Sequence, residues 1–213
     1  MSGVPFIAIE GPIGIGKTSL AQKLSSHYHF YLLKEIVEDN PFLGEFYDDM
    51  ESWSFQTEMF FLCNRMKQLE DIHRNYLLKN KSVIADYHIS KNMIFANRTL
   101  QSRKLEKYKK VYEILTDDIP MPNILIYLYG SMDTILKRIN KRGRDIEKNI
   151  KSSYLLDLSN DYEAYISQFE RDNPSIPVIR IDGDKVDFVH IQEDLQMIIN
   201  LVDKQLSKLD KGE

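Results

Sequence analysis

The chain has 213 residues, 43% of them hydrophobic, enough to bury a full core, and one α/β domain spanning residues 1–213 is expected. Its 28 basic and 32 acidic residues leave a net charge of −4, which gives no electrostatic case for nucleic acid or an anionic membrane and favours a small-molecule substrate. Cys63 is the only cysteine, which excludes an intrachain disulfide and a multi-cysteine metal site and fits a reducing cytoplasm.

The start "MSGVPFIAIE" lacks the basic region of a secretory signal, and no later stretch is long enough to span a bilayer, so no address outside the cytoplasm is expected. From there, β-rich runs alternate with helix-length segments: "FIAIE", "FYLLKEIV", "SVIADY", "NILIYLYG" and "PVIRIDGD". Parallel strands need crossover helices, so this alternation predicts a five-stranded, doubly wound parallel sheet flanked by helices. Between the second and third runs, Trp53, Met59, Phe60, Cys63, Met66, Leu69 and Ile72 are set among charges, which predicts one long amphipathic helix from Glu51 to about Leu78. The terminal "KLDKGE" is expected to fray.

The loop after the first strand reads "GPIGIGKTSL", which fits the phosphate-loop pattern of Gly, four residues, then Gly-Lys-Thr. Gly11, Gly14 and Gly16 let the backbone turn where side chains would collide with a ligand, so that the loop from Gly11 to Ser19, running through Pro12, Ile13 and Ile15, wraps phosphates and the N–H groups of its non-proline residues point at them from a helix N-terminus. Lys17 is placed to reach the β- and γ-phosphates, and the Thr18 hydroxyl to ligate Mg²⁺. The loop identifies a nucleotide but no reaction.

Three further stretches carry chemistry. In "LLKEIVEDNP", Glu35 follows the second strand at the carboxyl edge of the sheet, where ligands of such sheets bind, and could take a proton from an attacking hydroxyl; Glu38 and Asp39 compete for that role. In "WSFQTEMF", Trp53, Gln56, Phe60 and Cys63 step by three and four, so they share a helix face that suits either a flat base read by the Gln56 amide or a plain core stripe. In "LKRINKRGRDIE", Arg138, Arg142 and Arg144 suit either a lid over a transferring phosphoryl group or a solvated basic helix end. No Asn-Lys-x-Asp run follows the fourth strand, which argues against a switch GTPase, and the histidines lack metal-ligand spacing, with only His88 near a candidate site.

Together "FIAIEGPIGIGKT", "EIVEDNPFL", "WSFQTEMFFLC", "IADYHISKN" and "RINKRGRDIE" resemble the deoxynucleoside kinase family, in order and over nearly the whole chain, and within it the deoxyguanosine kinase branch of Bacillus-type bacteria. The resemblance implies a P-loop kinase fold with an arginine-rich lid, and transfer of the γ-phosphoryl group of ATP to the 5′-hydroxyl of a purine deoxynucleoside, with Mg²⁺. It implies that Glu35 is the general base, that Gln56 beside Trp53 and Phe60 holds the base, that Tyr47 and Glu147 hold the sugar 3′-hydroxyl, and that Arg138, Arg142 and Arg144 contact phosphates. Asp182 and Asp184 are assigned to the ATP site, and Asp86 to the acceptor and the metal. A homodimer packed through long helices is also implied.

Two departures stand out. Where many members carry an acidic residue followed by Arg-Ser, this chain has Asp86-Tyr87-His88, so Lys91, next to Asn92 in the acceptor site, is expected to supply the missing cation. Where some relatives place an arginine seven residues after the glutamine, this chain has Cys63, and Arg65 falls on the helix face opposite Gln56. Deoxyadenosine phosphorylation, a thymidylate-type monophosphate kinase and a non-catalytic nucleotide-binding module are the alternatives.

Overall fold

A computed structural model describes residues 3–37, 39–147 and 149–211, with the side chains of Ile146 and Asp210 outside the description. The strands are β1 (Phe6–Glu10), β2 (Tyr31–Leu33), β3 (Val83–Ala85), β4 (Ile124–Tyr129) and β5 (Val178–Asp182), joined in the order β2-β3-β1-β4-β5. Every adjacent pair is parallel, and Ala8 faces both Ala85 and Leu125 across the central strand. The helices are α1 (Lys17–Tyr28), α2 (Leu43–Asp48), α3 (Met50–Asn75), α4 (Lys91–Thr99), α5 (Ser102–Thr116), α6 (Met132–Arg142), α7 (Ser152–Asp172) and α8 (Gln192–Lys211).

Period-two alternation divides each buried strand between two cores. Ile7, Ile9, Ile84, Ile126 and Ile179 face α1 and α8, meeting Leu20 and Leu24 of the first and Ile198, Ile199 and Val202 of the second. On the opposite face, Phe6, Val83 and Ala85 pack on Leu62, Leu69 and Ile72 of α3, while Ala8, Leu125 and Tyr127 pack on Leu158, Tyr162 and Ile166 of α7. This layering brings the carboxyl ends of β1, β2, β3 and β5 to one edge, where the loops that follow them meet.

The second strand is shorter than its apolar run. Only Tyr31–Leu33 pairs with β3, and Lys34 to Val37 leave the sheet edge, which frees Glu35 to face inward. The long helix begins at Met50, capped by Asp49 accepting from the Ser52 amide at 3.2 Å, and ends at Asn75 before a separate turn of 3-10 helix at Leu77–Lys79. α8 continues to Lys211, inside the tail expected to fray, while Gly212 and Glu213 lie outside the described residues.

Two glycines of the phosphate loop have a reason different from the one expected. Gly11 has φ +149°, and a Cβ there would sit 2.2 Å from the Leu128 carbonyl oxygen; at Gly14 it would sit 2.5 Å from Ile139. The collisions are with the protein itself, because the loop is pressed against β4 and α6. Gly11→Ala is therefore expected to destabilise the fold by about 1–3 kcal/mol, read as a lower urea midpoint, since backbone cannot yield as a flexible side chain does.

Candidate active site

One cavity of about 1140 Å³ runs along the carboxyl edge of the sheet, from the phosphate loop to α2 and α3. Ile13, Gly14, Gly16, Lys17, Thr18 and Ser19 line one end. Gly16 caps α1 in a left-handed conformation, which aims the first amides of that helix into the cavity. Lys17 is 8% exposed, and its ammonium donates to the Gly11 and Pro12 carbonyls at 2.7 and 2.9 Å. Burial, with Lys91 nearby, lowers its pKa to about 8 against the opposing pull of Glu35, Asp86 and Glu10. Ile15 is fully buried in the core and does not line the cavity, and its carbonyl accepts from Arg138.

Thr18 Oγ1 donates to Asp86 Oδ2 at 2.6 Å, while Asp86 Oδ1 is buried with no hydrogen-bond partner among the described residues. A hydroxyl and an incompletely satisfied carboxylate beside a phosphate loop are the hard oxygen ligands that suit Mg²⁺. Burial and Glu35 raise the Asp86 pKa, so a cation bound there would relieve an unfavourable charge.

Glu35 occupies the middle. Its side chain is 8% exposed, and it accepts from Arg65 Nη2 at 2.6 Å, Arg65 Nε at 3.1 Å and Lys91 Nζ at 2.7 Å. Burial opposes its charge, but Lys91, Arg65 and Lys17 outweigh burial and lower the pKa to about 2. Lys91 and Arg65 are thus the two cations that hold Glu35 in the cavity. Of the two rivals named for Glu35, Asp39 is exposed and Glu38 lies outside the described residues.

At the far end, Tyr47 from α2 and Glu147 line the cavity together. Burial, followed by the Glu147 charge, keeps the Tyr47 phenol protonated. Glu147 is 7% exposed and bonds to Arg142, with Arg144 Nη1 3.7 Å away. Arg138 also lines the cavity, but its guanidinium holds backbone: Nη1 donates to the Ile15 carbonyl at 2.5 Å and Nη2 to the Gly183 carbonyl at 2.9 Å. Asp184 lines the cavity while accepting from the Ser131 amide and hydroxyl. Asp182 does not line it, and pairs with Lys185 and the Asp184 amide.

The helix α3 corrects the expected base-reading face. Gln56 and Cys63 are exposed, and neither Gln56, Phe60 nor Trp53 lines the cavity. Phe60 packs edge-on against Phe42, and Trp53 stacks on the same ring. The face that lines the cavity is Thr57, Glu58, Phe61 and Arg65, continuous with Leu62, Leu69 and Ile72 beneath it. The inference that Arg65 and Gln56 lie on opposite faces holds, but the inward one carries Arg65, 4% exposed, with its guanidinium carbon 4.5 Å from the Phe61 ring centre. The available signal was a carboxylate and a guanidinium seven residues apart in phase with Leu62, Leu69 and Ile72. Charged residues are almost never fully buried unless paired, so charges in phase with an apolar stripe point to partners inside the fold.

Asn92 is also corrected. It is fully buried, accepts from Arg65 Nη1 at 3.0 Å and donates to the Tyr108 hydroxyl, so it positions Arg65 and does not line the cavity. His88 is likewise away from it: the ring meets the Ser90 hydroxyl, and burial lowers its pKa to about 4, which keeps it neutral.

The profile of the family described as "Deoxynucleoside kinase" matches residues 7–207. The deoxyguanosine kinase of Bacillus subtilis is 56% identical over 198 residues, covering 93% of this chain and 96% of that protein. The deoxyadenosine/deoxycytidine kinase of the same organism is 30% identical over 200 residues, covering 92% and 90%. Among solved structures, a deoxyadenosine kinase from M. mycoides with bound dCTP superposes with a TM-score of 0.79 at 26% identity, covering 93% of this chain and 99% of that one. A phosphate loop and a paired carboxylate share one cavity, and with the match over residues 7–207 the chain belongs to the deoxynucleoside kinase family.

Proposed function

We propose that the protein transfers the γ-phosphoryl group of ATP to the 5′-hydroxyl of deoxyguanosine, giving dGMP and ADP in nucleotide salvage. The 56% identity to the B. subtilis deoxyguanosine kinase supports the acceptor, and the phosphate loop supports a nucleoside triphosphate donor. The observation that carries the reading is the position of Glu35, in the same cavity as Lys17 and the Tyr47–Glu147 pair.

In the proposed reaction the acceptor's 5′-oxygen attacks the γ-phosphorus in line, the bond to the β–γ bridging oxygen breaks, and ADP leaves. The hydroxyl proton passes to Glu35. A carboxylate with a pKa near 2 is a weak base, so this transfer belongs late in the step, and most of the acceleration is assigned to alignment and charge neutralisation. Lys17 and the first amides of α1 hold the β- and γ-phosphates. Thr18 and Asp86 would hold Mg²⁺, which when bound neutralises phosphate charge. Arg142 and Arg144 form the proposed lid over the transferring group, and Arg138 fixes the loops beneath it through Ile15 and Gly183. Tyr47 and Glu147 hold the 3′-hydroxyl.

The acceptor side yields a direct check on Lys91. Lys91→Ala removes one of the two cations that hold Glu35, so the KM for deoxyguanosine is expected to rise and the acid limb of kcat/KM to move to higher pH. An unchanged KM and an unmoved limb would leave Lys91 without a role. A homodimer and a cytoplasmic setting belong to the same proposal, the first checked by light scattering of the purified protein. Among the described residues no helix is long and apolar enough to cross a membrane.

The reading as a whole is tested by adding deoxyguanosine to the protein with Mg-ATP and identifying products by phosphorus NMR. Formation of dGMP and ADP in equal amounts supports it, and absence of dGMP overturns it.

A further inference from the structure

Phosphoryl transfer itself makes no use of Glu58, a carboxyl that lines the cavity from α3 yet is only 2% exposed. Its Oε1 accepts from Thr99 Oγ1 at 2.9 Å, and its Oε2 has no hydrogen-bond partner among the described residues. A buried oxygen in that state is costly, and a ligand that brings donors to it removes the cost. Phe61, on the next turn of the same helix face, gives the cavity a flat aromatic wall beside it.

The groups facing Glu58 come from five elements. Arg65 on α3 and Lys91 on α4 favour its charge, while the phenols of Tyr47 on α2, Tyr108 on α5 and Tyr154 on α7 feel that charge and stay protonated. Burial is the largest influence and pushes the Glu58 carboxyl up to about 7, so both of its forms are populated near neutral pH. Those forms present different hydrogen-bonding edges. An ionised carboxylate only accepts, which matches the adjacent N1–H and N2–H donors of guanine. A protonated carboxyl accepts once and donates once, which matches the N6–H donor and N1 acceptor of adenine as well as the N1–H donor and O6 acceptor of guanine, so the ionised form is the one that separates the two bases.

We propose that Glu58 reads the edge of the acceptor base, its ionised form selecting guanine and its protonated form admitting adenine. The inference rests on the deoxynucleoside kinase reading of the same cavity, and gives to Glu58 the task first assigned to Gln56. The choice between the two purines then depends on pH, with deoxyguanosine favoured as pH rises.

The test compares kcat/KM for deoxyguanosine and deoxyadenosine in the wild-type protein from about pH 6 to about pH 8, since this quantity reports ionisations of the free enzyme. Glu35, Lys17 and the other shared groups affect both acceptors alike and cancel in the ratio. The ratio is expected to rise toward deoxyguanosine with a midpoint near the Glu58 pKa. In Glu58→Gln the amide can pair with adenine through N6–H and N1 and with guanine only through N1–H and O6, so guanine loses the charge-assisted pair and the ratio is expected to move toward deoxyadenosine by about ten- to a hundredfold and to lose its pH dependence. A flat wild-type ratio overturns the inference even if the variant fails to fold, and so does a folded variant that keeps the wild-type ratio. If the wild-type protein phosphorylates neither purine deoxynucleoside, the kinase reading fails first.

Discussion

Glu35→Gln is expected to lower kcat by about 10²- to 10⁴-fold, the range for loss of a positioned proton acceptor, with the KM for ATP nearly unchanged. The carboxylate also serves as counter-ion to two buried cations, Arg65 and Lys91, whose side chains are 5% and 6% exposed. Removing one partner of a buried ion pair leaves the other charge uncompensated, so the same variant should lose about 3–5 kcal/mol in a urea titration. The pH dependence follows from the sign of the shift. The folded pKa, about 2, lies below the ordinary 4.5, so the contribution of Glu35 to stability is present above pH 4.5 and disappears as pH falls toward 2. Activity should therefore show no acid limb from Glu35 at or above about pH 5. A variant with full kcat would remove Glu35 from the mechanism.

Lys17→Ala is expected to lower kcat/KM for ATP by about 10²- to 10³-fold, the cost of removing one preorganised donor from a developing phosphate charge. In the free protein the ammonium is buried against the Gly11 and Pro12 carbonyls, and burial lowers its pKa to about 8. Above that pH the free enzyme loses the cation that meets the phosphates, so wild-type kcat/KM for ATP should decline with an alkaline limb near pH 8. Bound phosphates favour the protonated form and push the limb upward, so kcat at saturating ATP should decline at higher pH. Coincident limbs in the two profiles would contradict this role.

The sheet was legible because its signal is local: five β-rich runs, each separated by a helix-length segment, correspond to five parallel strands. The phosphate loop was equally local, since its glycines, lysine and threonine lie within eight residues of one another. The glycines' reason was not legible, because Leu128 and Ile139, the groups they must avoid, are distant in sequence. The inward face of α3 was misread for a related reason. Hydrophobic periodicity assumes that the buried face is apolar, and here that face carries Glu58 and Arg65, while Gln56 and Cys63 face outward. The pairing of Arg65 and Lys91 with Glu35 joins three segments, and no single stretch of sequence could show it. Arg138 illustrates the same limit, since a position in a basic cluster gave no sign that its guanidinium holds two backbone carbonyls.

The cavity now contains more positive charge than the sequence suggested, which revives the question of an acceptor that carries its own phosphate. Arg65 and Lys91 are neutralised in part by Glu35, and Arg142 by Glu147, which argues for an uncharged alcohol. The most direct measurement is kcat/KM with Mg-ATP for deoxyguanosine, deoxyadenosine, deoxycytidine, thymidine and their monophosphates, run side by side. The account predicts turnover of the nucleosides with deoxyguanosine in the lead. Turnover confined to a monophosphate would contradict it.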